Sequence, residues 1–422
     1  MDNITQNTEN IGQSQPKWSW IEGGIAVPQG FRATGVKAEI KYPDKYDVAL
    51  VYSEVPAQAA GVFTRNKVKA HPLILTKKHL ENGVAQAMVA NSGNANACVG
   101  KPGDEAAWAM AVKTAEVLGI AVEDVLVAST GVIGVELPVV SVARGIEKAS
   151  LEIAEKISPE EMMQNSHQAA LAIMTTDTVV KEAACELSTE HGVIRLGAMA
   201  KGSGMIHPNM GTMLGFIATD AAIPASELQE LLREAVEDSF NMVTVDGDTS
   251  TNDMVLVLAN GKSGITLNPQ EWAEFRRMFW AVCQKLAQDI ARDGEGATKF
   301  LEVQVLGAAA VEDARKIAKS ICGSSLVKTA LYGEDANWGR ILAAAGYSGA
   351  EFNPNQVEIY LGHVLVAKEG QGVHFSEEEA KKVLSRKDVT VKLLLQEGQA
   401  QATAWGCDLT HDYVTINGDY RT

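Results

Sequence analysis

The segment Lys201-Gly202-Ser203-Gly204-Met205-Ile206-His207-Pro208-Asn209-Met210-Gly211-Thr212 constrains this chain most, because an apolar run follows it without a break. Glycines and a proline make it a loop. Met213, Leu214, Phe216 and Ile217 then read as a buried strand. A threonine hydroxyl therefore stands at the mouth of a packed strand, and Gly211 before it leaves its own carbonyl unshielded. Thr212 can attack that carbonyl, cleave the peptide bond and become a new N-terminus. Its freed α-amine would then reach its own hydroxyl, the arrangement of a threonine nucleophile activated by an N-terminal amine. An α-amine has an ordinary pKa of about 7.7–8, close to the optimum for moving a proton at neutral pH. On spacing alone, a strand-starting threonine after a glycine turn remains the commoner outcome.

The 422 residues are enough for two or three domains, and 46% hydrophobic with 21% charged residues is the balance of a globular protein with a large core. A net charge of −16 argues against nucleic acid or an anionic membrane as partner, since both select a basic face. No run of eighteen or more apolar residues marks a transmembrane span. Residues 1–16 are polar, without a basic start or apolar stretch, and read as a disordered tail rather than a secretory signal. Cys98, Cys185, Cys283, Cys322 and Cys407 are scattered and odd in number, which fits free thiols in a reducing cytoplasm.

Helical and strand patterns alternate throughout. Asp104 to Leu118 is an alanine-rich helix stopped by Gly119. Ser226-Glu227-Leu228-Gln229 has the spacing of a capping box opening a helix to about Phe240. Asn268-Pro269 starts a long helix with Trp272, Phe275, Phe279, Cys283, Leu286 and Ile290 on one core-facing side. Ser376-Glu377-Glu378-Glu379 opens another. A strand restarts at Leu301 to Leu306, and Val389 to Leu395 with Ala400 to Trp405 reads as a hairpin about Glu397-Gly398.

Other segments carry weaker chemical signals. Val125-Leu126-Val127-Ala128 reads as a buried strand running into the turn Ser129-Thr130-Gly131, which presents a hydroxyl beside a backbone N–H. His207 reads as a surface loop histidine. Asp246-Gly247-Asp248 with Asp253 lacks EF-hand spacing, so turn hydrogen bonding is the better reading. Gly202-x-Gly204 has no following Lys-Ser/Thr pair and is no phosphate loop.

Ten segments taken in order resemble one family, the ornithine acetyltransferases (ArgJ). Besides the loop they include Gly30-Phe31-Arg32-Ala33-Thr34-Gly35, Asn91-Ser92-Gly93-Asn94-Ala95-Asn96-Ala97-Cys98 and Ser129-Thr130-Gly131-Val132-Ile133-Gly134. Further on lie Met174-Thr175-Thr176-Asp177-Thr178, Asp293-Gly294-Glu295-Gly296-Ala297-Thr298-Lys299 and the terminal Asn417-Gly418-Asp419-Tyr420-Arg421-Thr422. The resemblance implies an α+β, DmpA/ArgJ-like sandwich of sheets between helix layers over 17–300, and a separate C-terminal α/β domain over 301–422. It implies self-cleavage between Gly211 and Thr212 into an α chain, 1–211, and a β chain, 212–422, joined as an α2β2 tetramer.

The activity it implies is glutamate N-acetyltransfer in arginine biosynthesis. Acetyl passes from N2-acetylornithine to Thr212 and then to glutamate, with acetyl-coenzyme A as a possible second donor and neither metal nor other cofactor. Thr130 and Gly131 would form the oxyanion hole, and Thr178, Lys201, Thr212, Glu295, Asn417 and Thr422 would contact substrate. The residue types suit the ligands: Lys201 can pair an α-carboxylate, and Glu295 the δ-ammonium of ornithine. Rival readings are an ornithine acetyltransferase without acetyl-coenzyme A activity and a DmpA-like amidase that passes the acyl group to water. The family usually has alanine where this chain has Gly211, which puts the rate of cleavage in question.

Overall fold

The structure, a computed structural model, describes residues 17–155, 157–207 and 213–419. The expected tail, Gly211, Thr212 and Thr422 lie outside the described residues.

Nine strands form the larger sheet: β1 (Trp18–Ile21), β2 (Phe31–Val36), β3 (Val48–Phe63), β4 (Val84–Asn91), β5 (Val125–Ser129), β6 (Lys181–Thr189), β7 (Gly192–Lys201), β8 (Leu214–Thr219) and β9 (Met254–Ala259). Their order is β1-β6-β7-β8-β9-β3-β4-β5, with β2 also on β3. The 16-residue β3 joins two parts of this sheet, because its first half pairs β2 and β4 and Gln58–Phe63 pairs β9. The register against β4 slips between Tyr52 and Ala57, around Pro56, whose nitrogen has no proton to donate.

The apolar run after residue 212 becomes β8, and its side chains alternate between two cores. Leu214, Phe216 and Ala218 join a middle cluster with Leu256 of β9, Val51 of β3, Met88 of β4 and Leu126 of β5. Ile217 faces the other way, toward Leu231 and Phe279 of the helices Ala225–Glu237 and Pro269–Arg292. Behind β3, β4 and β5, residues such as Leu50, Val89 and Val127 meet Met110 and Ile146 of the helices Lys101–Leu118 and Val139–Ala154. A strand buried on both faces reads as a continuous apolar run. The result is the expected sandwich of sheet layers between helix layers.

A second sheet comprises β10 (Phe300–Ala308), β11 (Glu358–Leu361), β12 (Val364–Lys368), β13 (Gln371–Gly372), β14 (Asp388–Leu394) and β15 (Ala400–Cys407), in the order β13-β12-β11-β14-β10-β15. The hairpin expected between the last two strands does not form. β10 lies between them, parallel to β14 and antiparallel to β15. The turn residues Glu397 and Gly398 donate their N–H groups to the Gly307 carbonyl, so the connection wraps the end of β10.

The helix starts follow local chemistry in most places. Asn268 and Glu271 form a reciprocal capping box, Ser376 accepts from the Glu379 N–H, and Gly119 ends its helix at φ 68°. The box expected at Ser226 is absent. That helix begins at Ala225, whose N–H donates to Gln58 Oε1, and ends at Glu237, before a 3-10 turn Phe240–Met242. No helix among the described residues is long and apolar enough to cross a membrane.

Candidate active site

β5 carries the chain to the first part of the site. The Thr130 N–H donates to Asn91 O at 3.0 Å. Gly131 follows at φ +135°, and a Cβ there would stand 2.3 Å from the Gly93 carbonyl carbon. Only glycine fits such a contact with backbone. The Gly131 N–H makes no hydrogen bond among the described residues, and it stands beside the Thr130 hydroxyl. Buried amides fix this corner. Asn252 Nδ2 donates to Ser129 O at 2.8 Å and Ala95 O at 2.7 Å, and the Ser129 hydroxyl donates to Asn91 Oδ1 at 2.6 Å.

β7 ends at Lys201, which is buried. Its ammonium donates to Thr175 Oγ1 at 2.8 Å and Thr130 Oγ1 at 3.4 Å, with Asp177 Oδ2 at 3.8 Å. Asp177 also accepts from Gly202 N–H at 2.6 Å and Thr175 N–H at 3.1 Å. Burial works against its charge, but the Lys201 and Lys181 ammonium groups and the Gly202 N–H prevail and hold the carboxyl at about 2. Lys181 is buried with all three N–H donors used, on Asp177 at 2.8 Å, Asp293 at 2.6 Å and Val179 O at 3.1 Å. Buried charges persist only when paired and hydrogen-bonded in this way.

The end of the helix Pro269–Arg292 delivers the acid. The Ser203 hydroxyl donates to Asp293 O at 2.6 Å and the Glu295 N–H to Ser203 O at 3.0 Å, which stitches this end to the glycine loop. The Glu295 carboxylate is buried against Gly204 and accepts from Asn417 Nδ2 at 2.7 Å. Asn417 sits on the helix His411–Gly418, anchored by Thr410 on Gly296 O at 2.7 Å. Asp246 plays the turn role expected of it: its carboxylate accepts from the N–H groups of Met205, Ile206 and Asp248. His207 is half-buried rather than on the surface, 3.0 Å from Thr244 Oγ1, because the loop folds back on the segment after Phe240–Met242. Burial, aided by the Lys319 charge, lowers its pKa to about 4, so it is neutral at pH 7.

Thr130, Gly131, Lys201, Glu295 and Asn417 thus line one cavity of about 380 Å³, together with Met213 and Leu214. That volume suits a small ligand. Thr178 lies apart, in an adjoining cavity of about 670 Å³ that shares Thr176 and Glu295 with the first, and its hydroxyl donates to Asp293. Gly211, Thr212 and Thr422 are not described. Sequence reasoning missed Thr175, Asp177, Lys181, Asn252 and Asp293. Their pairings span up to 157 residues. The only signal for Thr175, Asp177, Asn252 and Asp293 was their place inside the motifs around residues 174–178, 245–253 and 293–299, and Lys181 lay outside them.

The ArgJ family model matches residues 32–422. The arginine biosynthesis bifunctional protein ArgJ of Symbiobacterium thermophilum is 55% identical over 408 residues, 96% of this chain and 100% of that protein. Its counterpart in Caldanaerobacter subterraneus is 49% identical over 409 residues, 95% of this chain and 99% of that one. A crystal structure of arginine biosynthesis bifunctional protein ArgJ from Bacillus halodurans is 49% identical, covers 49% of this chain and 99% of its own, and superposes with a TM-score of 0.48.

Proposed function

This chain belongs to the ArgJ family, and from that premise we propose that it moves acetyl from N2-acetylornithine to glutamate through an acetyl-Thr212 enzyme. The observation that carries the reading is the convergence on one cavity of a hydroxyl–N–H pair, a buried lysine and a buried glutamate, beside the strand that follows Gly211-Thr212. A pair of donors suits a developing oxyanion, and opposite charges suit an amino acid with a cationic side chain.

In this reading the chain first cleaves itself after Gly211. The Thr212 hydroxyl then attacks the acetyl carbonyl of N2-acetylornithine while the Thr212 α-amine takes its proton. Charge on the carbonyl oxygen falls to the Thr130 hydroxyl and the Gly131 N–H. Collapse breaks the C–N bond, and the ornithine nitrogen leaves with the proton held by the α-amine. The amine of glutamate attacks the threonyl ester next, the same two donors hold the second oxyanion, and N-acetylglutamate leaves as the hydroxyl is restored. Lys201 pairs the α-carboxylate of either substrate, and Glu295, fixed by Asn417, pairs the δ-ammonium of ornithine. Thr178 and Thr422 complete the contacts. No metal or cofactor takes part in these steps.

Acetyl-coenzyme A serves as a second donor to the same threonine, and the fragments 1–211 and 212–422 remain together as an α2β2 assembly in the cytoplasm. The test is initial-rate kinetics with N2-acetylornithine and glutamate in chelator-treated buffer. Parallel-line ping-pong kinetics yielding ornithine and N-acetylglutamate are expected; intersecting lines or loss of activity on chelation would reject the mechanism. Acetate release at the same rate with and without glutamate would point to the amidase reading. Acetyl-coenzyme A offered alone with glutamate decides the second activity.

A further inference from the structure

We infer that Lys201, beyond pairing a substrate carboxylate, is the positioning residue that aims the Thr130 hydroxyl proton at the oxyanion. The inference rests on the acyl-transfer reading above. A threonine hydroxyl has one proton and two lone pairs, and that proton rotates to suit its neighbours. Beside an uncharged group it could face either way. Here the Lys201 ammonium donates to Thr130 Oγ1 at 3.4 Å, so one lone pair faces the lysine and the proton cannot. The Thr130 backbone cannot turn away, because its N–H is bonded to Asn91 O and Gly131 next to it is locked against Gly93. The proton is left to point into the cavity that both residues line. A cationic donor on the oxygen also polarises the O–H and strengthens what it donates.

The ammonium itself is held from two further sides. Thr175 Oγ1 accepts from it at 2.8 Å, and Asp177 stands at 3.8 Å. Asp177 is in turn fixed by Lys181 and by the Gly202 and Thr175 N–H groups. The buried charge network, which touches no reacting atom, thus sets the angle of one hydroxyl. Pairing alone would satisfy a buried lysine; what the aiming role adds is that one of its donors falls on Thr130 Oγ1.

The experiment is single-turnover acetylation of the self-cleaved enzyme by two donors, N2-acetylornithine and p-nitrophenyl acetate. The second has no carboxylate for Lys201 to bind. Rates are taken per cleaved chain, read by the acetyl mass gained. Lys201→Met is expected to slow acetylation by both donors ~10–100-fold, somewhat less than outright loss of an oxyanion donor. In a Thr130→Ala background the same substitution should change the p-nitrophenyl acetate rate by less than ~2-fold, because the two residues act as a unit. Thr175→Val keeps the charge and removes its anchor, so it tests the idea even if Lys201→Met is not processed; ~3–10-fold slowing with both donors is expected. Slowing confined to N2-acetylornithine, or an undiminished Lys201→Met effect without Thr130, would make Lys201 a carboxylate anchor alone and overturn the inference. If the unmodified enzyme takes acetyl from neither donor, the acyl-enzyme reading falls first and this inference with it.

Discussion

The Glu295 carboxylate occupies the space that a side chain on Gly204 would need: a Cβ there would lie 2.2 Å from it. The acid is therefore seated by the absence of an atom in the glycine loop, and Asn417 Nδ2 holds it with a hydrogen bond of 2.7 Å. Because the displaced group is the end of a flexible side chain, Gly204→Ala should fold and self-cleave. It should cost Glu295 its place and its bond to Asn417. Hydrogen bonds to charged groups contribute ~1.5–3 kcal/mol, so the KM for N2-acetylornithine is expected to rise ~10-fold or more. Steady-state kinetics with an unchanged KM would show that Glu295 does not depend on this seat.

Glu295→Gln separates the two half-reactions. Ornithine offers a cation to Glu295, whereas glutamate brings a second carboxylate into the same cavity. The KM for N2-acetylornithine should rise while that for glutamate stays level or falls. Equal rises for both would remove Glu295 from side-chain recognition.

Thr130 and Gly131 are expected to fail differently. Thr130→Ala removes one oxyanion donor and should lower kcat ~10²–10³-fold with little change in KM. Gly131→Ala meets backbone at 2.3 Å in a left-handed conformation and should destabilise the fold by ~3 kcal/mol or more. Thermal unfolding distinguishes them: the first variant should melt like the unmodified protein, the second well below it.

Half-buried His207 and buried Asp177 both contribute to the response to acid. Burial and Lys319 lower His207 to about 4 from its usual value near 6.5, so the folded state favours the neutral ring. Its contribution is present above pH ~6.5 and is lost as pH falls toward 4. Asp177, held at about 2 by Lys201 and Lys181 despite burial, contributes above its ordinary value of ~3.9 and is lost as pH falls toward 2. The melting temperature should decline in two stages, and His207→Gln should abolish the first. A single stage, unchanged in that variant, would contradict the assignment.

The sequence made the strand after Thr212 legible because both faces of β8 are covered, so its residues form one apolar run. The Asn268 and Gly119 helix ends were legible because each depends on one residue and its neighbours. The hairpin and the Ser226 box were misread for the opposite reason: β10 inserts between two strands that are adjacent in sequence, and Gln58, far along the chain, takes the N–H that starts a helix. The site divides in the same way. Thr130, Gly131, Lys201, Glu295 and Asn417 belong to motifs read in sequence and meet in one cavity. Lys181 bridging Asp177 and Asp293 left no local trace, since a buried ion pair between residues 112 apart has no period or spacing.

The central claim is that acetyl passes through Thr212. The most direct measurement is peptide mass mapping of the enzyme quenched after mixing with N2-acetylornithine in the absence of glutamate. The acetyl group is expected on a peptide beginning Thr212-Met213-Leu214, and it should disappear when glutamate is added before quenching. An uncleaved Gly211-Thr212 bond in active enzyme, or acetyl on any other residue that chases into N-acetylglutamate, would contradict the account.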